Sequence, residues 1–247
     1  MKTVAVVQAR MRSTRLPGKA LLYLANHPVL WWICARITYA WLDGIVIATT
    51  SHESNDDIAN NHYLPYGCKV FRYERDEDDV IGRILAAAQW AKADIIVDIT
   101  GDCPLVDPRH INHLVKALKA DESLDYVSNC VTRTWPDGLD IQVYKTEALA
   151  WTIGQLNPKQ HGGWNIAQHP DVFKIKNWPA PPDMHWPELG LTLDTPEDYK
   201  LLQIIFAEEK FGKDPGFAVD DVVKFIRANP ELVDINKNVR RKTPEEG

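Results

Sequence analysis

The sequence predicts an α/β protein with a mostly parallel, layered sheet. In its first half, short runs of β-branched residues alternate with longer segments of helical periodicity, which is the pattern of parallel strands joined by crossover helices. An apolar content of 45% over 247 residues is sufficient for one continuous core. The predicted strands are Thr3–Gln8, Gly44–Thr49, Cys68–Arg72 and Ile95–Ile99, and the predicted helices between them are Val29–Ala40, Asp56–Tyr63 and Asp79–Trp90.

The second half predicts further elements around an irregular segment. Asp107-Pro108 has the form of an N-cap followed by a first-turn proline, and Thr195-Pro196-Glu197-Asp198 has the form of a capped helix start. Asn157–Glu188 is rich in Pro, Trp, His and Gly, which indicates loops beside a site or an interface. The predicted strands are Tyr126–Asn129, Leu139–Tyr144 and Leu191–Leu193, and the predicted helices are Arg109–Ala120, Thr146–Leu156, Thr195 to about Lys210, and Val219–Ala228.

These elements predict one domain over residues 1–235. Within it, residues 126–190 form the approximate acceptor or dimer region. Residues 236–247 are charged, and we expect them to form a flexible tail.

The charge balance argues against two classes of partner. With 28 Lys and Arg against 34 Asp and Glu, the net charge of −6 disfavours broad binding to nucleic acid or to an anionic membrane. No stretch of about 18 apolar residues occurs, and the first apolar run is too short for a signal peptide, so we expect a cytoplasmic protein. The four cysteines form no CxxC pair, which favours reduced thiols over zinc binding.

The loop after the first strand carries the strongest chemical signal. Ligands of open parallel sheets bind beyond the carboxyl ends of the strands. The segment Ala9–Lys19 follows the first strand and contains four cations, Arg10, Arg12, Arg15 and Lys19. Backbone N–H groups and cationic side chains in such a loop suit a polyphosphate. Composition alone also allows an ordinary solvated basic loop.

Polar residues follow three other predicted strands. Thr49 and Thr50 could hydrogen-bond a base or a ribose, although such residues are also common in turns. Asp102 lies at a sharp turn after the fourth strand, and Asp194 follows the late strand. Two carboxylates beside a cationic loop are what Mg²⁺-assisted attack on a nucleoside triphosphate requires, and each aspartate also has a structural interpretation, in a turn or near a helix start.

Four segments together resemble one known family. They occur in the expected order and cover most of the chain up to about Asn229. The family is that of the spore coat polysaccharide biosynthesis F proteins, a group similar to the CMP-sugar synthetases for Kdo and for sialic-type acids. The segments are Gln8–Lys19, Ile99–Leu105, Pro136–Asp140 and Leu191–Asp198.

The resemblance implies a nucleotide-diphospho-sugar transferase fold, which is GT-A-like and Rossmann-like. It implies a cytidylyltransferase that transfers CMP from CTP to an acidic sugar or to a phosphorylated or phosphonate small molecule, with release of pyrophosphate, in surface polysaccharide or related biosynthesis. By analogy with the CMP-sugar synthetases, it also implies a homodimer.

The resemblance assigns roles to residues by their positions in this sequence. The catalytic residues are expected to be Arg10, Arg15, Lys19 and Asp102, and the Mg²⁺ ligands Asp102 and Asp194. The nucleotide is expected to contact Gln8, Ala9, Arg10, Ser13, Gly18, Lys19, Thr49, Thr50, Arg83, Thr100 and Gly101. The acceptor is expected to lie near Asp137, Gly138, Asp140 and His161.

The sequence departs from the family pattern at three places. Asp98 stands where these proteins often have Arg, and Gly82 replaces the acid of a helix motif that usually reads like Asp-Val-Leu-Asp-Arg. The segment Lys159–Gly163 stands where the family has Arg-Glu-His-Val. The first two changes concern the nucleotide side and the third concerns the acceptor half.

Two other functions remain as alternatives. A glycosyltransferase of similar fold would consume a nucleotide-sugar, but such enzymes usually hold metal with Asp-x-Asp, and the candidate segment here reads Asp102-Cys103-Pro104. A non-catalytic nucleotide-binding protein is the second alternative, since the acceptor half has diverged. A nicotinamide oxidoreductase is poorly supported because no GxGxxG follows the first strand.

Overall fold

A seven-stranded mixed sheet forms the centre of the structure, a computed structural model that describes residues 1–60, 62–156 and 162–241. Across this sheet the strands follow the order β5-β4-β1-β6-β8-β7-β9, and β2 pairs with β3 in a separate hairpin. The strands are β1 Thr3–Gln8, β2 Tyr23–Leu24, β3 His27–Pro28, β4 Gly44–Thr50, β5 Cys68–Tyr73, β6 Ile95–Thr100, β7 Tyr126–Ser128, β8 Gln142–Lys145 and β9 Ile175–Asn177.

Helices cover both faces of the sheet. One apolar core joins the sheet to α1, α4, α7 and α9, and a second core joins it to α3, α5 and α6. The helices are α1 Val29–Ile37, α2 Asp56–Ala59, α3 Val80–Trp90, α4 Pro108–Ala120, α5 Thr146–Leu156, α6 Gly162–Ala167, α7 Pro196–Ala207, α8 Glu209–Gly212 and α9 Val219–Ala228.

Strand β1 is the central strand on which the layering depends. Ala5 and Val7 point into one core, whereas Val4 and Val6 point into the other, so the strand is apolar on both faces, as parallel strands covered by helices are. It pairs in parallel with both β4 and β6. Because Gln8 stands beside Thr100 in this register, the loops after β1 and β6 leave the sheet side by side.

The predicted α/β class and its mostly parallel sheet are confirmed. The four predicted parallel strands form as β1, β4, β5 and β6, each within one residue of its expected end. Strand β8 is antiparallel to both of its neighbours, whereas β7 and β9 are parallel. The predicted bounds of α5 and α9 agree with the structure.

Several predicted bounds need correction. Helix α1 ends at Ile37 instead of Ala40, because Tyr39 and Ala40 donate to the carbonyls three residues earlier. Strand β8 begins at Gln142 instead of Leu139, since the Asn129 side chain donates to the carbonyl of Leu139 and accepts from the amide of Ile141. The predicted helices Asp56–Tyr63 and Thr195 to Lys210 are also shorter, as α2 and α7.

Leu191–Leu193 does not form the predicted strand. Only an isolated bridge between Asp137 and Gly190 occurs there. The amide of Leu193 donates to the carbonyl oxygen of Asp102 at 2.8 Å, and the amide of Leu191 donates to Asp137 at 2.6 Å. These single bonds replace a strand ladder and tie the segment to two different loops.

The expected flexible tail is ordered over residues 236–241. Asn236 is buried, and its side-chain amide donates to the carbonyl of Gly190 at 3.0 Å and to Asp198 at 2.8 Å. Arg241 also contacts Asp198, so paired polar groups hold this charged segment against the domain. Residues 242–247 lie outside the described residues.

The predicted N-cap at Asp107 is confirmed and connects two helices. The Asp107 carboxylate accepts from the amide of Arg109 at 2.8 Å in α4 and from the amide of Val219 at 2.9 Å, where α9 begins. Two further bonds come from the Arg109 guanidinium, at 3.0 and 2.7 Å. One buried carboxylate therefore holds the starts of α4 and α9 together.

Within the part of the chain that the structure describes, no helix combines the length and the apolar character that crossing a bilayer requires. Helix α4, at 13 residues, is the longest and has a polar face that includes Lys116 and Lys119. The structure therefore offers no helical membrane span in these residues.

Replacing Asp107 by alanine should destabilise the fold strongly. The variant loses an N-cap and leaves buried donors without a partner, so we expect the free energy of unfolding to fall by about 3–5 kcal/mol in urea denaturation. Asp121→Ala is the matched control, because the Asp121 carboxylate accepts hydrogen bonds from nearby Ser123 at the surface. Equal loss of stability in both variants would contradict this role for Asp107.

Candidate active site

A cleft of about 430 Å³ opens at the carboxyl ends of β1 and β6. Its size is in the range of small-molecule sites. The residues that line it come from both halves of the chain. They include Gln8, Ala9, Arg10, Ser13, Arg15, Lys19, Arg83, Asp98, Thr100, Gly101, Asp102, Cys130, Arg133, Asp137, Asp140, Gln142, Gly162, Trp164, Asp194 and Arg241.

Lys19 lies between the two aspartates that the sequence singles out. Its ammonium donates to Asp102 at 2.6 Å and to Asp194 at 2.9 Å. Arg15 contacts the second oxygen of Asp194, with its Nη2 at 2.9 Å from Oδ2. The structure therefore places the cationic loop and both carboxylates at one edge of the sheet.

The neighbouring charges set the protonation of Lys19 and of Asp102. Burial alone would lower the Lys19 pKa, but Asp102 and Asp194 outweigh it and raise the pKa to about 12. Burial alone would raise the Asp102 pKa, and the Lys19 charge more than offsets this, so that the pKa is lowered. The ammonium and the Asp102 carboxylate are consequently both charged near neutral pH.

Backbone contacts bring the two aspartates together. Gly101 allows the turn, because a Cβ at this position would collide with the carbonyl oxygen of Gln8. The amide of Leu193 donates to the carbonyl of Asp102, and that bond places the following Asp194 opposite. The amide of Asp194 in turn donates to the Asp198 carboxylate at 3.0 Å, within the capping box of α7. Asp194 is thus held by its own loop.

The remaining cations of the first loop pair with acids outside the core. Arg10 contacts Asp78 at 2.8 Å, and Arg12 contacts Glu77 at 3.1 Å. Both acids are on the segment before α3. Since Arg10 keeps about a third of its side chain exposed and lines the cleft, its guanidinium can also face a bound anion.

Arg83 is a buried cation of the cleft wall with unused hydrogen-bonding capacity. Only 2% of the residue is exposed, and its Nη1 donates to the carbonyl of Glu77 at 3.0 Å. Its Nε has no hydrogen-bond partner among the residues that the structure describes. Burial lowers the pKa of the guanidinium to about 10, so it stays charged near neutral pH and can donate to a bound anion.

The donor set formed by Asp102 and Asp194 fits a hard divalent cation. Both carboxylates contact the Lys19 ammonium, and Arg15 also contacts Asp194, so two acidic oxygen donors converge on one point of the cleft. Oxygen ligands of this kind suit Mg²⁺, which usually takes one or two carboxylates and completes its shell with water and phosphate oxygens. The residues present therefore match the predicted Mg²⁺ site.

A second acid–histidine group does not support a metal site. Asp107, His110 and Asp220 have ligand atoms within 4.8 Å of one another in the described residues. However, the carboxylates of Asp107 and Asp220 both bind the Arg109 guanidinium. The Asp107 carboxylate is also buried and accepts from the backbone amides of Arg109 and Val219 at two helix starts, so its oxygens are already occupied and we assign this group a structural role.

The end of the cleft that is expected to face the acceptor combines acids with one central arginine. Arg133 contacts Asp137 at 3.1 Å and Asp140 at 2.7 Å. Burial and the Asp140 charge raise the Asp137 pKa to about 6. Gly138 does not line the cleft; its φ of 99° and its close approach to Thr192 show that glycine is needed for the turn.

Three other predicted site residues are not brought to the cleft or are not described. Thr49 and Thr50 are buried, and the Thr50 hydroxyl accepts from Asn55 at 2.7 Å. Asn55 also accepts from the amide of Met11, so the pair supports the first loop from behind. His161 lies outside the described residues. Neither Thr49 nor Thr50 lines the cleft, so their predicted ligand contact is corrected: Thr50 supports the first loop through Asn55, and the buried Thr49 hydroxyl has no partner among the described residues.

Gly18 also shapes the first loop instead of lining the cleft. Its φ is 73°, and its amide donates to the carbonyl of Met11 at 2.9 Å. The left-handed conformation lets the chain turn directly into the short 3₁₀ helix Lys19–Leu21. Gly18 thus places Lys19 without itself facing a ligand.

Two of the three departures from the family pattern meet at one polar cluster. Buried Asp98 accepts from Gln8 at 2.6 Å and from the Tyr144 hydroxyl at 2.9 Å. A Cβ at Gly162 would lie 3.1 Å from that hydroxyl and 3.3 Å from the Asp98 carboxylate. Gly163 is packed still more tightly, against Gln142. The changes at position 98 and at positions 162–163 therefore share one set of contacts.

The third departure, glycine at position 82, has a separate and local explanation. Asp79 caps α3 by accepting from the amide of Gly82 at 3.0 Å and from the Tyr73 hydroxyl at 2.8 Å. Any Cβ at position 82 would collide with this carboxylate. The glycine that stands in place of the motif's acid thus leaves room for the hydrogen-bonded side chains of Asp79 and Tyr73.

Sequence reasoning missed Arg133, Gln142, Trp164 and Arg241 as site residues. The first three lie outside the quoted family motifs, and Arg241 was assigned to the tail. For Arg133 the sequence does contain a signal, since Asp137 and Asp140 follow it within one short segment. A cation so close to two acids can pair with both if the loop folds back on itself. Gln142, Trp164 and Arg241 reach the cleft through contacts between distant segments, which the sequence does not reveal.

Replacing Asp98 by asparagine should reveal a buried acid through the pH dependence of stability. Burial raises the Asp98 pKa to about 6, above the ordinary 3.8, so the folded state keeps a proton that the unfolded chain loses. Wild-type stability therefore falls as pH rises through this window. Relative to wild type, Asp98→Asn should gain about 2 kcal/mol of unfolding free energy between about pH 4.5 and about pH 8 in urea denaturation. Asp171→Asn, at an exposed position, is the control, and a pH-independent difference for Asp98→Asn would contradict the assignment.

Comparison with known proteins identifies relatives along most of the chain. A family model described as cytidylyltransferase matches residues 4–152. The chain is 29% identical to the spore coat polysaccharide biosynthesis protein SpsF of Bacillus subtilis (strain 168) over 236 residues, which cover 92% of this chain and 94% of that relative.

Solved structures agree with this match. A cytidylyltransferase from Leptospira borgpetersenii serovar Hardjo-bovis (strain JB197) is similar with a TM-score of 0.85 and 28% identity, covering 98% of this chain and 100% of that chain. The CMP:2-keto-3-deoxy-manno-octonic acid synthetase solved in complex with CTP shares the fold, with a TM-score of 0.61 at 18% identity over 85% of this chain and 100% of that chain. The predicted nucleotide-diphospho-sugar transferase fold and the predicted family resemblance are both confirmed, and the chain belongs to the cytidylyltransferase family.

Proposed function

We propose that the protein is a Mg²⁺-dependent enzyme that transfers CMP from CTP to an acidic sugar or to a phosphorylated or phosphonate small molecule. One observation carries the proposal: Lys19 is held between Asp102 and Asp194 in a cleft that Arg10, Arg15 and Arg83 also line. Positioned cations and a carboxylate pair are the requirements of nucleotidyl transfer.

The cations of the first loop are assigned to the triphosphate. Arg15 and Lys19 lie at the carboxylate pair, and Arg10 lies on the same loop nearer the segment before α3. A guanidinium group can donate two parallel hydrogen bonds to the oxygens of a phosphate, and the lysine supplies a point charge for the leaving pyrophosphate. Asp102 and Asp194 would hold Mg²⁺, which when bound neutralises charge on the triphosphate.

The reaction that fits this cleft is an in-line displacement. An oxygen of the acceptor forms a bond to the α-phosphorus, the bond from that phosphorus to the pyrophosphate oxygen breaks, and the acceptor hydroxyl, if it is the nucleophile, loses its proton. Arg133 and Arg241 line the end of the cleft that we assign to the acceptor, so two guanidinium groups that pair with neighbouring acids would also lie near an acidic acceptor. Positioning and charge neutralisation supply most of the acceleration.

A place in surface polysaccharide or related biosynthesis is part of the proposal. It is supported by the name of the Bacillus relative, a spore coat polysaccharide biosynthesis protein. The proposal also includes action in the cytoplasm as a homodimer. Sedimentation of the purified protein at several concentrations tests the dimer.

Replacing Asp102 by asparagine should remove most turnover without unfolding the protein. The variant loses a charge that both Lys19 and the proposed Mg²⁺ require, so we expect pyrophosphate release from CTP and acceptor to fall about 10²–10³-fold. Thermal unfolding of the variant checks the fold, and Asp171→Asn serves as a surface control. Unimpaired turnover in Asp102→Asn would exclude the proposed metal role.

The four nucleoside triphosphates should differ in their effect on thermal stability. With Mg²⁺ present and ligand at about one hundred times its dissociation constant, CTP should stabilise the protein by about 2.7 kcal/mol, a shift of the unfolding midpoint of about 5–10 °C. We expect smaller shifts with ATP, GTP and UTP. Equal shifts with all four would contradict CTP as the donor. Release of a nucleoside diphosphate from a nucleotide-sugar donor, with no pyrophosphate formed from CTP, would indicate glycosyl transfer.

A further inference from the structure

The end of the described chain returns to the cleft. After α9, a 3₁₀ helix at Pro230–Ile235 leads to buried Asn236, and Arg241 lines the cleft beside the acceptor end. Gly190 leaves room for this approach, since a Cβ there would collide with the Arg241 guanidinium. The segment therefore forms part of the cleft wall.

Arg241 makes a two-pronged ion pair with Asp198. Its Nη2 lies 2.6 Å from Oδ1, and its Nη1 lies 2.9 Å from Oδ2. Asn236 adds a third hydrogen bond to Oδ1 at 2.8 Å. The Asp198 side chain is fully buried, so these groups satisfy a carboxylate that water cannot reach.

The same carboxylate holds the loop that carries Asp194. Its Oδ2 accepts from the amide of Asp194 at 3.0 Å and from the amide of Thr195 at 2.9 Å. One oxygen of Asp198 therefore joins the Arg241 guanidinium to the backbone of Asp194. Any rotation of Asp198 after loss of its partner would move this loop.

We propose that Arg241 is a positioning residue of the active site, which orients Asp194 through Asp198. This inference rests on the proposed function, in which Asp194 is a ligand of Mg²⁺. Arg241 also lies 3.6 Å from Asp137, so the same guanidinium borders the acceptor end of the cleft. Arg241 thus contacts both the support of Asp194 and an acid at the acceptor end of the cleft.

The test compares CTP binding with and without Mg²⁺. In calorimetry with saturating Mg²⁺, Arg241→Ala should bind CTP about 10-fold more weakly than the wild type, which is the effect typical of residues that orient metal ligands. With EDTA in place of Mg²⁺, the two proteins should bind CTP equally. A general structural defect would weaken both measurements, and that outcome would overturn the proposal.

Two further variants sharpen the comparison. Arg241→Lys keeps the charge but cannot form the two-pronged pair, so it should also lose Mg²⁺-dependent affinity, and it carries the test if Arg241→Ala does not fold. Lys237→Ala is the matched control, because Lys237 lies in the same segment and pairs with Asp234 at the surface. Its CTP binding should equal that of the wild type in both conditions.

Guanidinium ions provide a chemical test of the same contact. Adding guanidinium chloride at low concentration should restore part of the Mg²⁺-dependent CTP affinity to Arg241→Ala, whereas equal sodium chloride should not. If wild-type protein shows no Mg²⁺-dependent CTP binding, the proposed function fails. If wild type binds and Arg241→Ala binds equally well in both conditions, only the role of Arg241 fails.

Discussion

The site depends on one cation shared by two carboxylates. Asp102 and Asp194 carry like charges and come from distant parts of the chain, so their approach requires a compensating charge between them. Lys19 supplies it at hydrogen-bonding distance. The arrangement explains why a lysine at the end of the first loop matters: together with Arg15 it offsets the two negative charges, and in the proposed function it lies where a triphosphate needs positive charge.

The geometry of the sheet makes this meeting possible. Because β1 and β6 are neighbours in register, the loop with Lys19 and the turn with Asp102 leave the same edge side by side. Asp194 is not on a strand of this sheet at all. A single backbone bond from Leu193 to Asp102 brings it in, and the Asp198 carboxylate fixes its amide. Residues 191–194 therefore hold the two aspartates together through single hydrogen bonds instead of forming a strand.

Two of the departures from the family pattern, at position 98 and at positions 162–163, share one set of packing contacts. An acid at position 98 pairs with Gln8 and Tyr144, and glycine at position 162 lets the backbone pass close to that pair. A larger side chain at either place would occupy the same space. The cluster lines the cleft, so these two departures change side chains at the cleft wall, whereas the first loop with Lys19 keeps the family motif.

The sequence by itself determined the features that depend on neighbouring residues. The alternation of strands and helices, the caps at Asp107 and Thr195, and the cationic loop before Lys19 are all local patterns, and the structure confirms each of them. The inward orientation of Thr49 and Thr50, the contact of Gly162 with Asp98, and the return of Arg241 to Asp198 were decided only by the tertiary structure. The physical reason is that these contacts join segments far apart in the chain, and a local pattern of residues does not specify which distant side chain will fill a given space or satisfy a buried charge.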